Sequence, residues 1–208
     1  QKINDIYKQF NEPQDIVLCY TVALVNLSAK QNKAEEIEKI ARKSFRIMIK
    51  AFLCSLWFDK YLKNPKNIKI VNQESVENAY KKGRGVMAAT MHMGNMEAST
   101  VCTGENKIIT VAKKQRNPYI NDYITKLRGK ANYMDVIEKN ERTSRVLISK
   151  LREKKVIALF SDHRDKGAII NFFGKETKAP SGAVSMALKF DLPFLLVYNT
   201  FNDDNTIT

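Results

Sequence analysis

Two side chains separated by four residues, His92 and Glu97, are the best candidates for chemistry in this sequence. The small, apolar run 85–91 that precedes them predicts a buried strand, and the residues after them can open a helix. His92 is therefore expected at the carboxyl end of a strand, where open α/β sheets bind ligands. On one continuous helix a five-residue step turns about 140°, so the pair would not share a face. A turn through Gly94 and Asn95 would instead let Glu97 fold back onto the imidazole ring.

A carboxylate against that ring would fix the tautomer of His92 and raise its basicity. This pair is the core of a general base that activates a hydroxyl group. A histidine beside a carboxylate is also a common polar filler, so the spacing alone leaves both a catalytic and a structural interpretation open.

The elements that must position this motif alternate between helices and strands. Helices are predicted at 34–58, 75–82, 117–127, 143–153 and 181–190, and strands at 67–71, 85–90, 107–112, 134–137, 156–160 and 193–200. The alternation predicts an α/β fold with a mostly parallel central sheet flanked by helices, preceded by an N-terminal helical region. We expect one domain over residues 1–208, with a helical part at 1–60 and an α/β core at 61–208, and with further chain missing at both ends.

The second half of the first predicted helix, residues 47–58, is apolar on most of its faces. A core helix is the interpretation that this pattern favours. The functional alternative is contact with a membrane surface or an acyl chain, with Trp57 and Lys60 at the interfacial edge.

The charge of the chain is strongly unbalanced, with 35 Lys and Arg against 22 Asp and Glu and a formal net charge of +13. This excess favours an anionic partner, which could be nucleic acid, anionic lipid or an acidic protein, or it serves solubility alone. A nucleic-acid-binding domain would interleave aromatic with basic residues on one face, and the sequence has no such stripe. Cys19, Cys54 and Cys102 lie far apart, which argues against a disulfide framework or a zinc site.

Two further polar blocks follow predicted strands. In the first, Lys113 and Arg116 place cations before a helix that begins near Asn117, an arrangement typical of an anion site. In the second, Asp162 follows the strand 156–160, and an apolar hairpin then leads to a helix start marked by glycine and proline. The hairpin contains Phe172, Phe173 and Gly174. This order of elements is typical of a substrate wall in such sheets.

Together the blocks resemble the bacterial lipid A biosynthesis (lauroyl/myristoyl) acyltransferases, over about residues 34–198. The family's H-x4-E motif is matched by His92, Gly94, Asn95 and Glu97. Its middle block is matched by Val111, Asn117 and Pro118, and its third block by Asp162, Gly167, Phe172, Phe173, Gly174 and Thr177. The segment 42–46 is similar to the family's R-x-S-F-R segment. Two positions depart from the pattern, since Lys113 stands where arginine is usual and His163 where glutamine is usual.

The resemblance implies transfer of a fatty acyl group from acyl carrier protein to a hydroxyl group of a lipid A precursor. His92 would remove the hydroxyl proton, Glu97 would stabilise the imidazolium, and Lys113 or Arg116 with backbone N–H groups would bind the oxyanion. Asp162 is expected to orient a cation or the histidine motif. A metal site at Asp162 and His163 is a minor alternative, because no pair of ligands has helical spacing.

The resemblance also implies the partners and the place of action. We expect an acyl carrier protein as donor, an anionic lipid as acceptor, the surface of the bacterial inner membrane on its cytoplasmic face, no cofactor and no nucleic acid. Gly94, Asn95 and Asn117 complete the expected substrate-binding set. Phe172, Phe173 and Gly174 would wall the acyl channel, or the two phenylalanines would fill a core hairpin.

Two other functions compete with this hypothesis. A glycerolipid acyltransferase shares the H-x4-D/E chemistry, but its later block resembles F-P-E-G-T-R-S, whereas residues 160–164 here read F-S-D-H-R. A basic, non-catalytic lipid- or nucleic-acid-binding protein is the alternative from another class, although both His92 and Glu97 are present.

Overall fold

The structure is a computed structural model that describes residues 34–104, 106–131, 134–163, 166–172 and 174–208. The chain divides into two units between Arg46 and Ile47, and each is described by itself. Of the first unit, the structure describes residues 34–46, which form the start of a helix. The expected single domain, with its helical part at 1–60, stays a prediction.

The described helices and strands follow one another in the predicted alternation. The helices are α1 (Ala34–Leu56), α2 (Phe58–Tyr61), α3 (Gln73–Lys81), α4 (Pro118–Ala131), α5 (Thr143–Arg152) and α6 (Gly182–Lys189). The strands are β1 (Val86–Thr90), β2 (Ile108–Ala112), β3 (Met134–Glu138), β4 (Val156–Phe160), β5 (Ala168–Phe172), β6 (Lys175–Ala179) and β7 (Phe194–Val197). Short 3-10 helices span Pro65–Asn67 and Met96–Thr103. Among the described helices, none combines the length and apolar character that crossing a bilayer requires.

Five strands form a central sheet in the order β3-β2-β4-β1-β7, and its paired strands run parallel. Strands buried on both faces of a parallel sheet read as continuous apolar runs. All five residues of β1 are buried, as the run before His92 predicts. The α/β fold with a mostly parallel sheet flanked by helices is therefore confirmed.

Helices cover both faces of this sheet. On one face Leu147 and Leu151 of α5 and Ala183 and Ala187 of α6 form a buried cluster with the strands. A second cluster contains Ala79 of α3 together with the neighbouring strands. The central strands of the sheet are thereby held between two apolar layers.

The carboxyl edge of the sheet has two features typical of a ligand site. First, the chain leaves the neighbouring strands β1 and β4 in opposite directions, toward β2 and toward β7. Sheets of this class bind ligands beyond the carboxyl ends of the strands at such a switch point. Second, β2 pairs with β4 through Ile108 and Ile109, and the ladder does not continue to the carboxyl ends of these two strands.

The strand predicted at 67–71 is wrong. Pro65, which lacks a backbone N–H, begins a 3-10 turn there, and Asn72 adopts a left-handed conformation with φ of 61°. Between them Ile68 forms a single parallel bridge with Ile207. The helix expected after His92 also differs in type, since Met96–Thr103 is a 3-10 helix.

One face of helix α1 is exposed. Cys54 packs against the buried cluster of Phe58, Ala98 and Ile207, whereas Phe52 and Trp57 are exposed. The core-helix interpretation of residues 47–58 therefore holds for one side of the helix and is wrong for the other.

Candidate active site

His92 lies just beyond the carboxyl end of β1, as predicted, and meets Asp162 just beyond the carboxyl end of β4. The register of the two strands explains the meeting. Thr90 pairs with Phe160, and the ladder extends one step further through a 3.0 Å bond from the Ser161 N–H to the Thr90 carbonyl. Two parallel strands in this register bring the residues that follow side by side.

Asp162 holds His92 at two points. Its Oδ1 lies 2.8 Å from the ring Nδ1, and its Oδ2 accepts a 2.6 Å hydrogen bond from the His92 backbone N–H. The exposed fractions of the two side chains are 17% for His92 and 8% for Asp162. The ring of Phe160 stacks on the imidazole with 4.0 Å between centroids. The imidazole is therefore fixed both by its backbone and by its ring.

The carboxylate is ionised in this environment. Burial raises the pKa of Asp162, but the hydrogen bonds and charge of His92 outweigh it and hold the pKa below its ordinary value. An ionised carboxylate only accepts hydrogen bonds, so the Nδ1 of His92 carries the hydrogen that it shares with Asp162. In the neutral ring, this assignment places the lone pair on Nε2, the state that a general base needs.

Glu97 makes a different contact from the one expected. Its Oε1 lies 2.9 Å from Nε of Arg128 on α4, and both side chains are largely buried. The 3-10 helix begins directly after Asn95, whose Oδ1 accepts a 3.0 Å bond from the Glu97 N–H. This turn directs Glu97 toward α4. The carboxylate that contacts the imidazole of His92 is therefore that of Asp162.

Gly94 and Asn95 shape the loop between His92 and Glu97. Asn95 is fully buried, and Asn199, just beyond β7, clasps it. The Asn95 N–H donates to Oδ1 of Asn199, and Nδ2 of Asn199 donates to the Asn95 carbonyl and to Oγ of Ser99, each at 2.8 Å. Gly94 has φ of 61°, and any Cβ there would collide with Asn199. The glycine is thus required for both conformation and space.

The cations of the middle block lie beyond the carboxyl end of β2, on the same edge of the sheet as His92. Lys113 and Arg116 are both exposed there. Asn117 has a local structural role, because its Oδ1 accepts bonds of 2.9 Å and 3.4 Å from the N–H groups of Tyr119 and Ile120 at the start of α4.

The predicted apolar hairpin is the antiparallel pair of β5 and β6. Every residue of β5 is exposed, Phe172 included, so the core interpretation of this phenylalanine is wrong. Gly174 adopts φ of 76° in the turn. Phe173 lies outside the described residues.

Two residues of the site were missed by sequence reasoning. Asn199 carries the signal that identified His92 and Asp162, a polar side chain directly after an apolar strand, and could have been found. Arg128 lies within a helix, and nothing local distinguishes it from other surface arginines. Within the described part of the chain, no group of three or more His, Cys, Asp and Glu side chains is arranged to hold a metal ion.

The sequence model of the bacterial lipid A biosynthesis acyltransferase family matches residues 20–207. No curated protein matches the chain.

Proposed function

Because the chain belongs to the bacterial lipid A biosynthesis acyltransferase family and is thus an acyltransferase, we propose that it moves a fatty acyl group from acyl carrier protein to a hydroxyl group of a lipid A precursor. The observation that carries the proposed mechanism is the double contact of Asp162 with His92. It supports His92 as the general base, with Asp162 as the carboxylate that orients it.

The proposed reaction is a direct transfer. Nε2 of His92 takes the proton of the acceptor hydroxyl as its oxygen attacks the thioester carbonyl. The carbon–oxygen bond forms, the tetrahedral intermediate collapses with cleavage of the carbon–sulfur bond, and the imidazolium returns the proton to the leaving thiolate. Asp162 stabilises the imidazolium while the proton resides on the ring.

The cations beyond the end of β2 would supply the positive charge that the reaction needs. The intermediate carries an oxyanion, and the lipid acceptor carries anionic groups. We propose that Lys113 and Arg116, with backbone N–H groups of the loop after β1, serve these anions. The same basic surface would attract an acidic carrier protein through long-range electrostatics.

Glu97 takes a positioning role in this proposal. Its ion pair with Arg128 joins the 3-10 helix after the His92 loop to α4, which begins beside the basic block. The pair would thereby keep the two walls of the site in register. Phe172 on the exposed hairpin is the proposed contact for the acyl chain.

A transfer assay tests the proposal. Acyl carrier protein loaded with a labelled fatty acyl group is incubated with the protein. One reaction contains a lipid A precursor as the acceptor, and a second reaction contains a lysophosphatidate. We expect label on the lipid A precursor, and a loss of about 10²–10⁴-fold in kcat for His92→Ala with the fold retained by circular dichroism.

Three outcomes would contradict parts of the proposal. Preferential labelling of lysophosphatidate would make the chain a glycerolipid acyltransferase. Transfer from acyl-coenzyme A but not from the carrier protein would overturn the donor. A folded His92→Ala variant with the wild-type rate would overturn the mechanism.

A further inference from the structure

Helix α4 carries an exposed aromatic patch that the proposed chemistry does not use. It consists of Tyr119, Ile120 and Tyr123, whose exposed fractions are 84%, 50% and 54%. Steps of three and four residues make these side chains neighbours on the helix surface. We refer to them as the α4 patch. Single exposed apolar side chains are ordinary, whereas a contiguous patch rimmed by charged residues marks a binding surface.

The chain directly before the α4 patch is basic. Lys113, Lys114 and Arg116 are exposed in the loop that joins β2 to α4. Lys126 is exposed one turn beyond the patch, and Asp122 is the one acidic residue in the sequence between 113 and 126. The surface therefore combines aromatic rings with an excess of positive charge. A ligand that matches it needs a face of C–H groups and an anionic group beside that face.

We propose that the α4 patch binds the sugar rings of a phosphorylated saccharide head group, with the cations of the preceding loop on its phosphates. A pyranose ring has C–H groups on its faces and hydroxyl groups at its rim. It can stack on the apolar face of tyrosine while the phenol hydroxyl bonds its rim. Arginine and lysine are the side chains that bind phosphate.

Resting on the proposed function, this ligand is the head group of the lipid acceptor. The α4 patch would then determine specificity, because a glycerolipid acceptor offers a phosphate but no ring to stack. A site that makes both interactions favours the ligand that has both groups over the ligand that lacks one. Nothing in the chemistry proposed for His92 distinguishes the two acceptors, since both present a hydroxyl group.

Helix α4 also connects the α4 patch to the candidate active site. Ile124 and Arg128 of the same helix are half-buried, and Nε of Arg128 lies 2.9 Å from Oε1 of Glu97 in the 3-10 helix after His92. Strands β1 and β2 are separated by β4 alone, so their carboxyl ends lie about 10 Å apart by the spacing of strands. A head group held on α4 would therefore be held at a fixed distance from the base.

A soluble head group separates this binding step from transfer and from any lipid phase. The probe is a phosphorylated glucosamine disaccharide without acyl chains, and its affinity for the protein is measured by NMR titration. The comparison ligands are the same disaccharide without phosphate, and glycerol 3-phosphate. We expect the phosphorylated disaccharide to bind at least about tenfold more tightly than either of them, because each comparison ligand lacks one of the two interactions.

Paired substitutions separate the α4 patch from exposed aromatic residues in general. Tyr119→Ala with Tyr123→Ala should weaken binding of the phosphorylated disaccharide by at least about tenfold, because the sugar faces no longer leave water. Tyr119→Phe with Tyr123→Phe keeps the rings and should restore most of the affinity. Phe52→Ala with Trp57→Ala is the matched control, since it removes two aromatic side chains that are 59% and 53% exposed on α1, and it should leave the affinity unchanged. Circular dichroism checks that the variants fold.

Transfer kinetics distinguish the acceptor from the donor. The tyrosine-to-alanine pair should raise KM for the lipid A precursor by at least about tenfold, with kcat and KM for the carrier protein within about twofold of the wild type. The rate with lysophosphatidate should stay the same, because that acceptor has no ring to lose. The preference for the saccharide acceptor should therefore decrease by the factor by which KM rises.

The proposal would be overturned if the wild type bound the phosphorylated disaccharide no better than glycerol 3-phosphate, or if the tyrosine-to-alanine pair and the α1 control had equal affinities for it. A rise in KM for the carrier protein and not for the lipid would also overturn it, and would assign the α4 patch to the donor protein. The binding measurement needs no transfer. Unchanged affinity with intact transfer therefore removes this patch alone, and saccharide binding without transfer by the wild type removes the proposed function alone.

Discussion

Asp162 bonds both the backbone and the ring of the same histidine, which is a stronger constraint than a contact to the ring alone. A ring held at one point can still rotate about its side-chain bonds, whereas the double contact fixes the plane of the imidazole as well as its tautomer. The spacing in the sequence paired His92 with Glu97, whereas the carboxylate that contacts its ring is that of Asp162. The proposed mechanism therefore depends on Asp162 more than on Glu97.

Asp162→Asn tests this dependence with almost no change in volume. The amide offers a hydrogen-bond donor as well as an acceptor, so the ring loses its fixed tautomer and the imidazolium loses its counter-charge. We expect kcat to fall by about 10²-fold or more, with little change in KM for the lipid acceptor. Steady-state kinetics of the transfer assay measure both.

Asp135→Asn is the control for that variant. Asp135 is exposed on β3 and its Oδ1 lies 3.8 Å from Nζ of Lys107, an ion pair of the kind that contributes little. Its kcat should equal that of the wild type. A folded Asp162→Asn variant with the kcat of this control would mean that the ring is oriented by something else.

At the scale of elements, the local sequence pattern predicted the positions of most strands, but it did not predict which side chains of different elements contact each other. Strands β1 and β4 were located almost to the residue, because buried parallel strands are short apolar runs with polar ends. Which carboxylate reaches His92 depends on β1 and β4 being neighbours in a particular register, a long-range property that spacing along the chain does not contain. The same holds for Arg128, which lies 31 positions from its partner Glu97.

The failed strand at 67–71 has a different cause. Its apolar residues have strand-like composition, but β-propensity is realised when a neighbouring strand is available to pair with. There Ile68 alone forms a bridge, with Ile207, and residues 69–71 stay exposed. Because no neighbouring strand was available to pair with, the β-propensity of this segment resulted in a single bridge and not in a strand.

The hydrogen bonds between Asn199 and the loop after β1 can be tested directly by substitution. Asn199→Ala removes three hydrogen bonds from buried groups of Asn95 and Ser99. Unsatisfied buried polar groups cost about 1–3 kcal/mol each. We expect the free energy of unfolding in urea to fall by more than about 1 kcal/mol, and kcat to fall as well, because the loop carries His92.

Asn202→Ala is the matched control for this prediction. Asn202 also donates two side-chain bonds, of 2.8 Å to Thr206 and 2.9 Å to Thr208, but in an exposed turn. Its free energy of unfolding should change by no more than about 0.5 kcal/mol. If the two variants had the same free energy of unfolding, burial of the Asn199 hydrogen bonds would add nothing to their contribution to stability.

For the molecule as a whole, the candidate active site is also supported by a third apolar cluster outside the sheet. Helices α1 and α2, the 3-10 helix after His92 and the segment around Ile207 meet in the cluster of Phe58, Ala98 and Ile207. This cluster is separate from the two that sandwich the sheet. The His92 loop is therefore held from the sheet side by Asp162 and Asn199, and from the α1 side by Ser55 and Cys54.

The ionised state of Asp162 couples this arrangement to pH. Its pKa lies below the ordinary value of 3.8, since the contacts with His92 outweigh burial. A carboxyl group whose pKa is lower in the folded state stabilises the fold above its unfolded pKa, and that stabilisation is lost as the pH falls through the folded value. The relevant window is therefore the range below about pH 4. Asp204 and Glu153 also have lowered pKa values, but both are exposed and unchanged in an Asp162 variant.

Urea unfolding of the wild type and Asp162→Asn, at pH 5 and at steps down to pH 3, measures this coupling. At pH 5 the variant should be the less stable, because it lacks the ionised carboxylate that holds His92. As the pH falls, the wild type loses that contribution and the variant has none to lose, so the difference in the free energy of unfolding should narrow. The shared contributions of the exposed carboxyl groups cancel in this difference. A difference that stays constant to pH 3 would show that the pKa of Asp162 is the same in the folded and unfolded chains, and that the two bonds to His92 do not depend on its charge.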